Sequence, residues 1–176
     1  MISDKRAALD QLSLKRNREQ FCMELITELA ESIQEVVGNE MAAGFVRTVG
    51  ARIGNTMNQD YEEATGMDKF DIDTVANILV DLKRRINGGF RIESFNNNAI
   101  TLVNDACPFS PKVLGKTSLC EMTSSVFGTI ASKHLGYANV EISEAIARGD
   151  KRCRVIVHLD PELDIENGRA FFGEAL

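Results

Sequence analysis

The apolar pattern of this 176-residue chain changes period once, near its middle, and that change restricts the fold more than any single motif. Up to Ile86 the large apolar residues recur at steps of three and four, as on helices. After Gly88-Gly89 they fall into short β-type runs separated by turn residues. Phe21, Leu25, Leu29, Ile33 and Val36 mark the inward stripe of a helix over about 5–37, stopped by Gly38-Asn39. Met41, Phe45, Val49, Ile53, Met57 and Tyr61 mark a second. The acidic YEEATGMDKFD reads as a linker. A third helix spans about 71–87, with Ile72, Val75, Leu79, Leu82 and Ile86 inward.

In the second half, FRIESF and AITLVND flank Asn96-Asn97-Asn98, a triplet suited to left-handed turn conformations, and read as a hairpin. TSLCEMTSSVFGTIASKHLG follows as a helix, with Ser118 and Glu121 spaced for a capping box and Gly136 as its stop. NVEISEAI and CRVIVHLD complete a second strand pair. The order strand, strand, helix, strand, strand leaves no room for parallel crossovers. It predicts an α+β fold, N-terminal helices plus an antiparallel ββαββ sheet of about four strands packed against helices. Three segments follow: a charged helical extension over 1–20 suited to dimerisation, an α+β sensory domain over 21–160, and an acidic tail over 161–176.

With 44 % apolar and 26 % charged residues, the composition is that of a globular protein. A net charge of −6 and the lack of a basic stripe with interleaved aromatics argue against direct nucleic-acid binding. The longest basic run, Lys83-Arg84-Arg85, reads as a complement to a helix dipole. No apolar stretch reaches the roughly 20 residues of a membrane span, and a cytoplasmic location is expected. In that reducing setting, cysteines point to metal or catalysis more than to disulfides.

Several motifs fail on their own chemistry. Gly115-Lys116-Thr117 resembles half a phosphate-binding loop, but Ser110 stands where the first glycine belongs and Pro111 removes a backbone donor. From Asp160 a calcium loop would need Gly and Glu where Ile165 and Phe171 stand. His134 and His158 are isolated, and Glu62-Glu63 has no neighbour to separate its pKa values.

The cysteines carry more. Cys120, near the start of a capped helix, lies where free N–H groups favour a thiolate. Cys107 ends a strand before Pro108, and Cys153 begins the last strand after a Gly-Asp turn. If helix and strands pack together, these three thiols meet at one sheet edge, where zinc or an iron–sulfur cluster would neutralise them. Three separate buried cysteines is the competing reading. Cys22 is expected in the core.

Cys107-Pro108-Phe109, Leu119-Cys120, Leu135-Gly136-Tyr137, and Ile146 to Asp150 followed by Cys153 resemble the signature half of the methanogen output domain family, small domains of prokaryotic signalling proteins. More distantly the same half is similar to vinyl-4-reductase-type sensory domains, which share an α+β fold with vesicle-tethering subunits and tend to dimerise. The resemblance implies a zinc held by an early Cys, a Glu-x-x-Cys pair and a Cys after the Gly-Asp turn. Cys120 matches the first and Cys153 the last. Ile142 and Ala145 stand where the Glu and middle Cys belong, flanked by Glu141 and Glu144, and Cys107 is an extra thiol that could replace the missing one.

These readings converge on a regulatory module rather than an enzyme. Cys107, Cys120 and Cys153 would hold zinc or an iron–sulfur cluster, sense redox state, a gas or a small ligand, and act on a signalling partner. A homodimer would form through the N-terminal helix. The alternatives are a thiol-dependent enzyme using Cys120 and a metal-free adaptor for a hydrophobic small molecule.

Overall fold

Five antiparallel strands in the order β1-β2-β4-β3-β5 form one sheet: β1 (Phe90–Asn96), β2 (Ala99–Asn104), β3 (Tyr137–Glu144), β4 (Cys153–His158) and β5 (Gly168–Phe172). The structure is a computed structural model that describes residues 2–14, 17–109 and 113–173. The helices are α1 (Ile2–Asp10), α2 (Arg18–Val37), α3 (Asn39–Thr65), α4 (Ile72–Arg85) and α5 (Cys120–Leu135). The α+β class read from the sequence is correct. A fifth strand adds to the expected four, because residues 168–172 of the acidic segment pair with β3.

Helices α4 and α5 cover one sheet face, α3 packs on the outside of α5, and α2 packs on α3. Alternation places Ile100 and Leu102 of β2 and Val155 and Val157 of β4 on that covered face. There they meet Leu79, Leu82, Phe127 and Ile130 in the main core. The β1–β2 hairpin forms as expected, by a different device. The Asn96 side chain accepts the Asn98 and Ala99 N–H groups at 2.8 and 3.1 Å, and the one left-handed non-glycine residue described is Asn87.

Three helical expectations need correction. The span 5–37 is broken after α1, with a turn and bend at residues 11 and 12; residues 15 and 16 lie outside the described set. The first five residues of the presumed linker are the end of α3, which runs to Thr65 and stops at the left-handed Gly66. The rows read as inward on α2 and α3 lie largely outward: Phe21, Leu25 and Leu29, then Met41, Phe45, Val49 and Ile53, are all exposed. A different face of α3 is buried. A Cβ on Gly50 would lie 2.7 Å from that of Ser125, and one on Gly54 3.2 Å from that of Thr129. Glycines let α3 approach α5 so closely that only small residues fit between them, which turns the large apolar row toward solvent.

Candidate functional site

The end of β2, the start of α5 and the start of β4 meet at one corner of the sheet, and each brings a cysteine. Register sets Asn104 opposite Cys153. Beyond the strand the Asn104 side chain donates to the Ala106 carbonyl and accepts its N–H, fixing the turn that carries Cys107. Cys120 is the first residue of α5. Cys153 faces the helices with Val155, and its sulfur accepts the Ile146 N–H at 3.4 Å.

All three thiols line one mostly apolar cavity, with Phe90, Phe109 and Ile142 in its wall, and the space inside is about 30 Å³. That exceeds the 10–15 Å³ needed for one water and falls far below the several hundred Å³ of ordinary small-molecule pockets. The sulfurs surround this space without closing on a point. Among the described residues, no group of three or more His, Cys, Asp or Glu side chains could hold a metal ion as it stands.

The thiolate expected at Cys120 does not form by the proposed route. No side chain caps α5: the Ser118 hydroxyl donates to Gln34 Oε1, and Glu121 accepts from Arg47 at 2.8 Å. Burial dominates instead, and with Cys153 and Cys107 beside it the Cys120 thiol is pushed up to about 12. Burial also raises Cys153. Cys22, expected in the core, is exposed on α2.

Lys83 is the residue that sequence reasoning missed. Its neighbours Arg84 and Arg85 bind Asp81 on the surface, but Lys83 is only 3 % exposed. Its Nζ donates to Thr123 Oγ1 at 2.8 Å and stands 5.6 and 5.2 Å from the ring centres of Phe90 and Phe127. Among the described residues, no carboxylate reaches it. Burial lowers its pKa to about 8, while the three cysteines, acting as potential negative charges, hold it up. The signal was present in the sequence. Lys83 follows Leu79 by four and Ala76 by seven, so it lies on the stripe that enters the core.

The loop at 113–119 joins this corner to the outer helices. Gly115 donates its N–H to the Ala147 carbonyl and Lys116 pairs with Glu31 of α2 at 2.8 Å, so neither is turned toward a phosphate. Ser110 and Pro111, on which rejection of a phosphate loop rests, lie outside the described residues. Ala30 of α2 packs with Val113, Leu119 and Ala147, against which Cys107 and Cys120 also lie. On its other side Cys120 borders an open polar cleft of about 850 Å³, where Arg47, Glu121, Arg148 and Arg169 stand.

The two histidines do not join the site. Buried His134 accepts the Phe70 N–H at Nδ1 and meets Asn58 Oδ1 at 2.6 Å through Nε2, whereas His158 pairs with Glu141 at 3.0 Å. No described helix is long and apolar enough to cross a membrane.

Comparison with known proteins bears on this corner. The family model described as methanogen output domain 1 matches residues 25–158. No curated protein matches the chain. Among solved structures, the chain is similar to trafficking protein particle complex subunit 3 from Naegleria fowleri, covalently bound to palmitic acid. The TM-score is 0.55 at 14 % identity, covering 83 % of this chain and 99 % of that one. At that identity the likeness concerns the fold alone.

Proposed function

Because the chain belongs to the methanogen output domain 1 family, we propose that it is a regulatory output module of a signalling system. Its responsive element would be the cavity of Cys107, Cys120 and Cys153, loaded with a metal. The observation that carries this reading is that three sulfurs from distant parts of the chain line one cavity, together with Thr123, whose hydroxyl accepts from the buried Lys83 ammonium. Soft sulfur donors suit zinc or iron–sulfur centres, and metal binding would displace the thiol protons that burial otherwise retains. The three cysteines would supply the ligands after side-chain rotation about the cavity.

Transmission would run through the 113–119 loop. The same residues that pack behind Cys120 touch α2, and Gln34 and Glu31 tie that helix to the loop. Loss or oxidation of the metal would loosen the corner and shift α2 against α3. The outward rows of α2 and α3 would bind a second copy. Their half-exposed side chains offer apolar area on the order of the ~800 Å² per partner that a stable interface covers.

A bound fatty acyl chain, as in the Naegleria subunit, is the less favoured occupant, since about 30 Å³ holds a few atoms at most. The test is metal analysis of protein purified without oxygen. About one zinc per chain, or iron with sulfide, lost in Cys107→Ser, Cys120→Ser and Cys153→Ser alike, supports the metal. A metal-free chain with fast-reacting Cys120 would instead favour a thiol enzyme.

A further inference from the structure

We infer that the open cleft on the far side of Cys120 binds a small molecule through a single carboxylate or phosphate group, which Arg47 and Arg169 receive. The cleft, about 850 Å³, falls within the size range of ordinary small-molecule pockets, whereas the thiol cavity beside it does not. Three elements build its charged end. Arg47 comes from the first half of α3 and Glu121 from the first turn of α5. Register sets Arg169 of β5 beside Val140, whose side chain enters the core, so Arg169 lies on the helix-covered face of the sheet.

The two guanidiniums share one oxygen. Glu121 Oε2 accepts from Arg47 Nε at 2.8 Å and stands 3.7 Å from Arg169 Nη1, beyond hydrogen-bonding distance. Arg169 is 39 % exposed, and among the described residues its guanidinium makes no hydrogen bond; it stands 5.4 Å from the ring centre of Phe171. One carboxylate thus faces two positive charges, and the planar donors of Arg169 are left to solvent. Burial first, and the charge of Arg47 second, lower the pKa of Arg169, opposed by Glu121. A second oxyanion between the two arginines would take the open donors and cancel the surplus charge. Arg148 also lines the cleft, fixed by its Nη2 bond to the Ile142 carbonyl at 2.7 Å. Glu40 and Glu166 line it too, and their charge disfavours a polyanion such as a nucleic acid. A compact ligand with one acidic group fits this balance.

Benzoate, phenyl phosphate and neutral benzamide separate charge from shape. Each would be titrated into the full chain by isothermal calorimetry at fixed ionic strength. The expected result is one site per chain for benzoate or phenyl phosphate and no binding of benzamide. The tighter of the two anions tells a carboxylate ligand from a phosphate. Arg47→Gln and Arg169→Gln should each weaken that binding roughly 10–100-fold, the worth of a hydrogen bond to a charged group. Arg84→Gln, on the surface of α4, should leave it unchanged. Glu121→Gln removes the competing carboxylate and should tighten binding about three- to fivefold, the worth of an exposed ion pair. Absence of binding by both anions, equal binding of benzamide, or an equal loss in Arg84→Gln would overturn the inference. Weaker or unchanged binding in Glu121→Gln would overturn it as well, and this near-isosteric change carries the test if an arginine variant does not fold.

Discussion

The ammonium of Lys83 donates a 2.8 Å hydrogen bond to the hydroxyl of Thr123, joining the last turn of α4 to the first turns of α5, where Thr123 lines the cavity of the three thiols. No other hydrogen bond to that ammonium is present among the described residues. Thr123→Val keeps the side-chain shape and removes the acceptor, leaving a buried cation with only aromatic faces. Its expected cost is about 1.5–3 kcal/mol in denaturant unfolding, the range for a hydrogen bond to a charged group. In a Lys83→Met background the same change should cost under about 0.5 kcal/mol. A double-mutant cycle measures the difference, and additive losses would mean that the two residues act independently.

Thiol reactivity should follow burial and ignore helix position. Cys22 is exposed on α2, whereas Cys120 is partly buried and its thiol is pushed up to about 12. At pH 7.5 in metal-free protein, alkylation is expected at Cys22 first, with Cys153 slower and Cys120 slowest, by about 1,000-fold, until denaturant is added. Mass spectrometry of labelled peptides over time reads this. Rapid labelling of Cys120 would restore the nucleophile that its place at a helix start suggests.

The contrast between that expectation and the structure is informative about what the sequence carried. The hairpin, α4 and α5, and the meeting of Cys107, Cys120 and Cys153 at one corner were all legible, because period and turn residues determine local elements and their order. The direction of the α2 and α3 rows was not. Two faces of α3 can enter a core, one of large residues and one of Ala43, Gly50 and Gly54, and the small face allows the closer approach. Lys83 was lost by reading it with Arg84 and Arg85 as a charge run and not by its phase with Leu79. Strand β5 was masked by its acidic surroundings, although Phe171 closes over Gly128 so tightly that any Cβ there would collide with the ring.

The α3–α5 contact gives a paired test. Gly50→Ala would set a methyl 2.7 Å from the Ser125 Cβ and force the helices apart, at an expected cost of about 1–3 kcal/mol. Gly44 lies on the same helix with nothing within 4 Å of its added Cβ, so Gly44→Ala should stabilise by about 0.5–1 kcal/mol through helix propensity alone. Urea midpoints of opposite sign identify the close approach. Two stabilising substitutions would show that α3 sits farther from α5.

The outward rows predict association. Phe45 and Val49 are 55 % and 47 % exposed, and a charge at either position would sit in the middle of the proposed interface between copies. The unaltered chain should elute as a dimer by light scattering, and Phe45→Glu should shift it to monomer with its unfolding midpoint raised or unchanged at low concentration. A monomer at 100 μM without the substitution would rule out a second copy as the occupant of these rows.

Acid sensitivity should trace to His134. Burial lowers its pKa, opposed by Glu62, whose carboxylate stands 3.8 Å from Nε2, and reinforced by Lys133 and Lys69. The folded protein therefore binds this proton less readily than the unfolded chain, whose imidazole titrates near 6.5. The contribution is fully present above that value and is lost as pH falls below it, with a slope of at most about 1.4 kcal/mol per pH unit. His134→Gln cannot gain a proton and keeps an amide donor toward Asn58 Oδ1, the contact His134 makes at 2.6 Å. Its unfolding free energy should be lower at pH 7.5 but nearly flat between pH 7 and 5, where the unaltered protein declines. Parallel slopes for the two proteins would place the titrating group elsewhere.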